Sequence, residues 1–137
     1  MDREPPRIYY ASRTHSQLSQ AVQELKNTAY RPNVCVLGSR DQMCINAEVM
    51  KAPSGARTGL CRAKVSKKTC SFYAGKDAVR RSLADDDILD IEELVRFGNR
   101  SMACPYYMSK ELQQKADIIF LPYNYCKSRT INKLTFQ

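Results

Sequence analysis

Arg7-Ile8-Tyr9-Tyr10-Ala11-Ser12-Arg13-Thr14-His15-Ser16-Gln17 opens as an apolar run, breaks at a polar turn and then changes period. Ile8 to Ala11 is rich in β-formers, and Pro5-Pro6 and Ser12-Arg13-Thr14 bound it, so it reads as a strand. From Thr14 onward Leu18, Ala21, Val22, Leu25 and Ala29 fall at helical spacing. Thr14 with Gln17 matches a capping box, and a helix is expected from about His15 to Thr28. Val34-Cys35-Val36-Leu37 is a continuous apolar run suited to a strand buried on both faces of a parallel sheet. Strand, helix and strand make one βαβ unit. The turn Gly38-Ser39-Arg40-Asp41 then leaves the carboxyl end of the second strand, the edge where open α/β sheets bind ligands.

A further apolar strand, Ile118 to Leu121, stands near the other end, so two α/β pieces bracket a stretch marked by Cys44, Cys61, Cys70 and Cys104. Within that stretch Met50 to Gly59 has no periodicity and carries Pro and Gly, which predicts a loop. The acids Asp85, Asp86, Asp87, Asp90, Glu92 and Glu93 precede Arg96, a charge order that suits a helix dipole. Asp90 is the expected N-cap of a helix from Ile91 to Phe97, with Gly98 or Asn99 stopping it. Cys104-Pro105 places proline at a first helical position, and the helix continues to about Lys115. After Tyr125 no element is evident, and there is neither an internal repeat nor a low-complexity tract.

The length of 137 residues suits one modest core, with or without an insertion. The net charge of +8 is uneven: residues 51–81 hold nine Lys or Arg against the single acid Asp77, a local +8, and the rest sums to zero. Such a concentration favours a polyanion, because neutralising phosphates releases condensed counterions. Nucleic acid is the expected partner, ahead of an anionic membrane surface or a merely solvated loop. The start, Met1-Asp2-Arg3-Glu4-Pro5-Pro6, has no apolar signal segment and no run has the length of a membrane span, so the chain is expected inside a cell and not in a membrane.

In a reducing compartment clustered cysteines bind metal or remain buried thiols more often than they form disulfides. The four are separated by 16, 8 and 33 intervening residues, without the short knuckles of structural zinc sites or ferredoxin-type clusters. Spacing alone leaves metal binding and free thiols both open. Cys35, inside an apolar strand, reads as a core residue, and Cys126 is given no ligand role.

Ala11-Ser12-Arg13-Thr14-His15-Ser16-Gln17 resembles the strand-to-helix DNA-contact motif of the iron–sulfur (XPD-like) DNA helicases. Asn27 to Pro32, Val34 to Asp41 with Cys44, Asp90 to Val95, Ala103 to Tyr107 and Ala116 to Tyr125 match the same family in order, covering nearly residues 7–125. The resemblance implies an α/β fold: a partial RecA-like parallel sheet of P-loop NTPase type with an inserted, mainly helical iron–sulfur domain. Residues 1–40 would be the first part of RecA-like domain 1, residues 41–104 the insert, and residues 105–137 the return to domain 1. Cys44, Cys61, Cys70 and Cys104 match the family's ligands to a [4Fe–4S] cluster.

The same resemblance implies contacts to DNA, single-stranded or at a fork. Ser12-Arg13-Thr14 would offer free amides, a hydroxyl and a guanidinium to a phosphate, or be a simple N-cap with an exposed arginine. Ser39 and Arg40 would serve similarly. Arg62, Lys64, Lys67 and Lys68 would follow the backbone of a single strand while Tyr73 takes a base, unless Tyr73 is core. His15 is expected exposed or beside the DNA. The sequence has neither a G-x-x-x-x-G-K-[ST] phosphate loop nor an Asp-Glu-Ala-His box, so ATP and Mg²⁺ belong to the complete helicase and this chain is expected to be a fragment of it. That parent would be an ATP-dependent 5′→3′ DNA helicase of the nucleus, acting in repair, recombination and telomere maintenance. The competing readings are a stand-alone metal-stabilised nucleic-acid-binding module and a redox-sensing thiol protein.

Overall fold

The computed structural model describes residues 6–80 and 88–124, with the side chains of 78–80 left aside. The acidic triplet Asp85 to Asp87, Cys126 and the stretch after Tyr125 lie outside the described residues. Strand β1 (Ile8–Ser12), helix α1 (His15–Lys26) and strand β2 (Val34–Val36) come first. Helices α2 (Arg40–Met43), α3 (Ala47–Lys51), α4 (Ser54–Ser66), α5 (Ser71–Arg80) and α6 (Ile91–Ser101) follow, then α7 (Pro105–Lys115) and strand β3 (Ile118–Pro122).

The sheet is parallel in the order β1-β3-β2. The first two strands are therefore not neighbours: the βαβ crossover steps over a position that β3, arriving some eighty residues later, fills. Its strands alternate between two apolar layers, as a period of two requires. Val34, Val36 and Phe120 pack with Leu18 and Val22 of α1 and with Ile91 and Leu94 of α6. Cys35, Ile119 and Leu121 pack with Leu112 and Ala116 on the other side. Burial on both faces explains why β2 and β3 read as unbroken apolar runs. Cys35 is core, as expected, and burial pushes its thiol up to about 12 although the Ser109 hydroxyl works the other way.

Three local expectations need correction. Met50 to Gly59 is largely helical, because α3 runs to Lys51 and α4 starts at Ser54. The start of α4 is stabilised from outside: Asp41 takes hydrogen bonds from Ser54 at 3.0 Å and Arg57 at 2.9 Å, and Arg57 also bonds the carbonyls of Met50 and Ala52. Such tertiary contacts override the propensities of Gly55 and Gly59. Helix α6 does not stop at Gly98; it runs to Ser101 and ends on Met102 in the left-handed conformation (φ 57°). Gly98 is there for close packing, since a Cβ on it would lie 2.5 Å from the Ala103 carbonyl oxygen and 2.6 Å from Pro105 Cγ. At α1 only half of the capping box forms: Thr14 Oγ1 accepts from the Gln17 amide, while the Gln17 side chain accepts from Ser12 Oγ. Asp90 caps α6 with the full reciprocal box. Among the described residues no helix is long and apolar enough to cross a membrane.

Candidate functional site

Four separate segments bring the cysteines to one small cavity. Cys44 follows α2, Cys61 lies within α4, Cys70 precedes α5 and Cys104 caps α7. All four line the same space with Ile45, Val49, Val65 and Phe72, and Lys64, Asn46, Tyr73 and Tyr107 complete the lining. The position of Cys104 is set by the backbone: its amide donates to the Phe72 carbonyl at 2.9 Å. Gly75 lets α5 approach the same corner, because a Cβ there would sit 2.2 Å from the Met102 carbonyl oxygen.

The thiols influence one another. Burial raises the pKa of Cys44, and the charges of Cys61 and Cys70 raise it further. Burial pushes Cys104 up to about 11, with Cys44 and Cys70 adding to the effect against the amides of Tyr106 and Tyr107. Mutual repulsion in an apolar pocket is the condition that a bound cation relieves, at the cost of releasing the protons. Asn46 Nδ2 is 3.4 Å from Cys70 Sγ and donates to it. The donor set is four thiols with no carboxylate or imidazole in the lining, so its chemistry fits a thiolate-ligated [4Fe–4S] cluster. Among the described residues no three His, Cys, Asp or Glu side chains gather as one metal ion requires.

The second candidate region is the carboxyl edge of the sheet. Arg13, Thr14, His15 and Ser16 after β1, Ser39 and Gln42 after β2, and Pro122, Tyr123 and Asn124 at the end of β3 line one open recess. Arg13 and Thr14 are exposed there, while the Ser12 hydroxyl is turned to Gln17. Tyr123 and Asn124 lie in the family-matched segment but carry no site role in the sequence reading; the rule that ligands gather at the strand ends of a parallel sheet was the signal available for them. Gln42 carried no such signal.

Arg40 does not join that recess. Its guanidinium stacks 4.4 Å from the Tyr106 ring centre and donates to Tyr107 Oη at 3.3 Å. Burial works against its charge, but hydrogen bonds to Cys61 and Tyr107 and the nearby Tyr106 more than offset that and hold it charged. Arg40 thus faces the cysteine cavity. Arg62, Lys67 and Lys68 are exposed at and beyond the C-terminal half of α4, with Lys68 at φ 60°. Lys64 is held in an ion pair with Glu48 and lines the cavity. Tyr73 lines it too, edge-on to Tyr107 with centroids 4.8 Å apart and with Lys76 Nζ 4.7 Å from its ring centre.

The family model DEAD_2 matches residues 10–136. The chain belongs to the DEAD_2 family. Among curated relatives, regulator of telomere elongation helicase 1 of Mus musculus is 53% identical over 135 residues, covering 94% of this chain and 11% of the relative. The Bos taurus protein of the same name is 55% identical over 123 residues, covering 88% and 10%. This DEAD_2 chain therefore spans about a tenth of the length of those relatives. The solved structure titled XPD_Helicase superposes with a TM-score of 0.57 at 20% identity over 93% of this chain and 22% of that one. Truncated XPD gives 0.59 at 20% identity over 94% and 36%. These likenesses show the fold: a RecA-like parallel sheet with an inserted helical region.

Proposed function

We propose that the chain is the cluster-bearing part of the first motor domain of an ATP-dependent 5′→3′ DNA helicase, acting in the nucleus in DNA repair, recombination and telomere maintenance. Residues 41–104 are the insert and the flanking 1–40 and 105–137 belong to the RecA-like domain. Cys44, Cys61, Cys70 and Cys104 hold a [4Fe–4S] cluster. The observation that carries this reading is the convergence of these four thiols, from four segments, on one cavity free of competing ligands. When bound, the cluster supplies a cross-link among those segments. Single-stranded DNA runs over the sheet edge, where the Arg13 guanidinium, the Thr14 hydroxyl and the first-turn amides of α1 contact phosphates and Ser39 borders the track at the turn after β2. The exposed Arg62, Lys67 and Lys68 extend this track, and Lys64 and Tyr73 support it from the cavity wall. Hydrolysis of ATP with Mg²⁺ requires the phosphate loop and acidic box of the complete helicase, neither of which occurs in this sequence.

The test is the iron, acid-labile sulfide and zinc content of protein purified without oxygen, alongside a Cys70→Ser variant. About four iron and four sulfide per chain, lost in the variant, is the expected result. Zinc without sulfide would instead favour a metal-stabilised nucleic-acid-binding module, and the absence of any metal would leave the thiol-protein reading.

A further inference from the structure

The phosphate-facing edge and the cysteine insert meet at one side chain, Gln42. It is the third residue of α2 and precedes Cys44 by two positions. Its Oε1 accepts from the Ser39 amide at 2.9 Å and the Ser39 hydroxyl at 3.2 Å. His15 Nε2 lies 2.9 Å from the same oxygen, across 27 positions of sequence. A backbone N–H can only donate, so the Ser39 amide identifies the atom of Gln42 at this junction as oxygen. It follows that Nε2 of His15 carries the proton. The neutral ring is thereby held as one tautomer, with Nδ1 as its lone-pair nitrogen, buried and, among the described residues, without a partner.

Neighbouring polar groups are committed elsewhere. Ser12 Oγ donates to Gln17 and so serves its own turn, while Thr14 Oγ1 accepts from the Gln17 amide and bonds neither Gln42 nor His15. The His15 to Gln42 bond instead reaches from the first residue of α1 to the short helix that delivers Cys44. Arg13, Thr14, Ser39 and Tyr123 stand around the same recess. The separation of the turn after β1 from the turn after β2 is therefore fixed where the two flank the recess.

We propose that His15 is a positioning residue: by donating Nε2–H to Gln42 it sets the spacing of the two phosphate-facing turns and ties them, through α2, to the first cysteine of the insert. This rests on the DNA and cluster reading given above. It assigns His15 no contact with DNA and no metal. Two consequences follow. Loss of the bond weakens oligonucleotide binding by mis-spacing Arg13 and Ser39. Loss also uncouples the two regions, so that DNA no longer protects the insert.

The experiment uses the full-length protein with its iron in place and a fluorescent oligothymidine, read by anisotropy. His15→Ala is expected to weaken binding about three- to tenfold, the worth of one hydrogen bond, and Gln42→Ala, which also removes the two bonds from Ser39, by at least as much. The double variant should be no weaker than Gln42→Ala alone, because the His15 bond is already gone there. His15→Gln, whose amide can donate to Gln42, should restore most of the affinity, which a loss of mere packing would not allow. Iron content and circular dichroism should stay at wild-type levels. In the wild type the oligonucleotide should slow the loss of the cluster's visible absorbance to a chelator, and in His15→Ala it should not. Additive single effects, failure of His15→Gln to restore binding, or undiminished protection in His15→Ala would each overturn the proposal. Arg13→Ala separates two failures. If it weakens binding while neither His15→Ala nor Gln42→Ala does, the bridge alone is refuted; if none of the three weakens binding, the DNA-facing edge is wrong and the bridge falls with it. Should His15→Ala not fold, Gln42→Ala and His15→Gln carry the same comparison.

Discussion

The segment from Cys44 to Arg80 and the sheet with its covering helices are stabilised by different means. Among the described residues, every member of the two apolar clusters lies at or before Met43 or at or after Ile88. The sheet side buries Leu18, Val22, Ile119 and Leu121 completely. The segment between them buries only isolated side chains, such as Val49, Cys61 and Lys76. It relies on the Arg57–Asp41, Lys64–Glu48 and Lys76–Glu111 ion pairs and on bonds from side chains to carbonyls. Partly exposed ion pairs contribute about 0–1 kcal/mol each, so they cannot replace a core. The sheet excludes water by itself; on the cluster proposed above, ligation would supply the cysteine segment with the rigidity its side chains do not.

The sharpest way to break this comparison is to remove the proposed cluster. Cys104→Ser, or chelation of the metal, should raise amide exchange and proteolytic cleavage across residues 44–80 by more than about a hundredfold, since closed structural metal sites contribute well above 3 kcal/mol. The amides of β3 should keep their protection. Simultaneous loss of protection in α4 and β3, followed by mass spectrometry, would show that the two regions form one cooperative unit.

The reverse perturbation acts on the sheet. Ile119 and Leu121 are both 0% exposed, and truncating either to alanine leaves a cavity costing about 2–5 kcal/mol. Urea midpoints should fall accordingly, while iron per folded chain stays at the wild-type value. A variant that kept its midpoint but lost iron would reverse the assignment of which region depends on which.

Smaller effects are expected where helices touch through glycine. Gly75→Ala would drive a Cβ to 2.2 Å from the Met102 carbonyl oxygen, one corner away from Cys104, and should cost about 1–3 kcal/mol and reduce iron loading. Gly59, with nothing within 4 Å of a built Cβ, is the control on an exposed helical face. Gly59→Ala should leave iron loading alone and add up to about 1 kcal/mol of stability. Equal iron content in the Gly75→Ala and Gly59→Ala proteins would argue against backbone packing as what places Cys104.

The sheet was legible because its signals are local. Runs such as Val34 to Leu37 and Ile118 to Leu121 state burial directly, and Thr14 and Asp90 announce their helices by capping. The strand order was not legible, since nothing in β1 or β2 records that β3 comes between them. Helix α4 was missed because its first turn depends on Asp41, 13 and 16 positions earlier than Ser54 and Arg57. Gly98 read as a stop because a glycine that serves close packing and one that ends a helix look alike in sequence. At the candidate site, spacing left the cysteines undecided and the family resemblance alone singled them out as a set; their shared cavity is a tertiary fact. The inward turn of Arg40 onto Tyr106 and Tyr107 had no local signal either, because its partners lie more than sixty residues away.

The smallest effect concerns the junction of the two regions, and its sign follows from burial. His15 is the only histidine of the chain. Burial lowers its pKa below the ordinary 6.5, with the hydrogen bond to Gln42 opposing. The unfolded chain therefore takes up its proton at a higher pH than the folded one. Between the two values the unfolded state binds more protons, so this contribution to stability is complete above about pH 6.5 and declines as the pH falls toward the lowered folded value. The Nε2–H that Gln42 needs survives protonation, so stability declines through the cost of burying a charge and not through loss of the bridge itself. In the isolated chain, urea midpoints measured between about pH 8 and about pH 5.5 should fall more steeply for the wild type than for His15→Gln, which keeps a donor at this position and cannot titrate. Identical slopes would mean that the ring is hydrated in solution, and a wild-type midpoint that rose on acidification would place an acidic partner beside it; either outcome would remove the tight junction on which the coupling of sheet edge to insert depends.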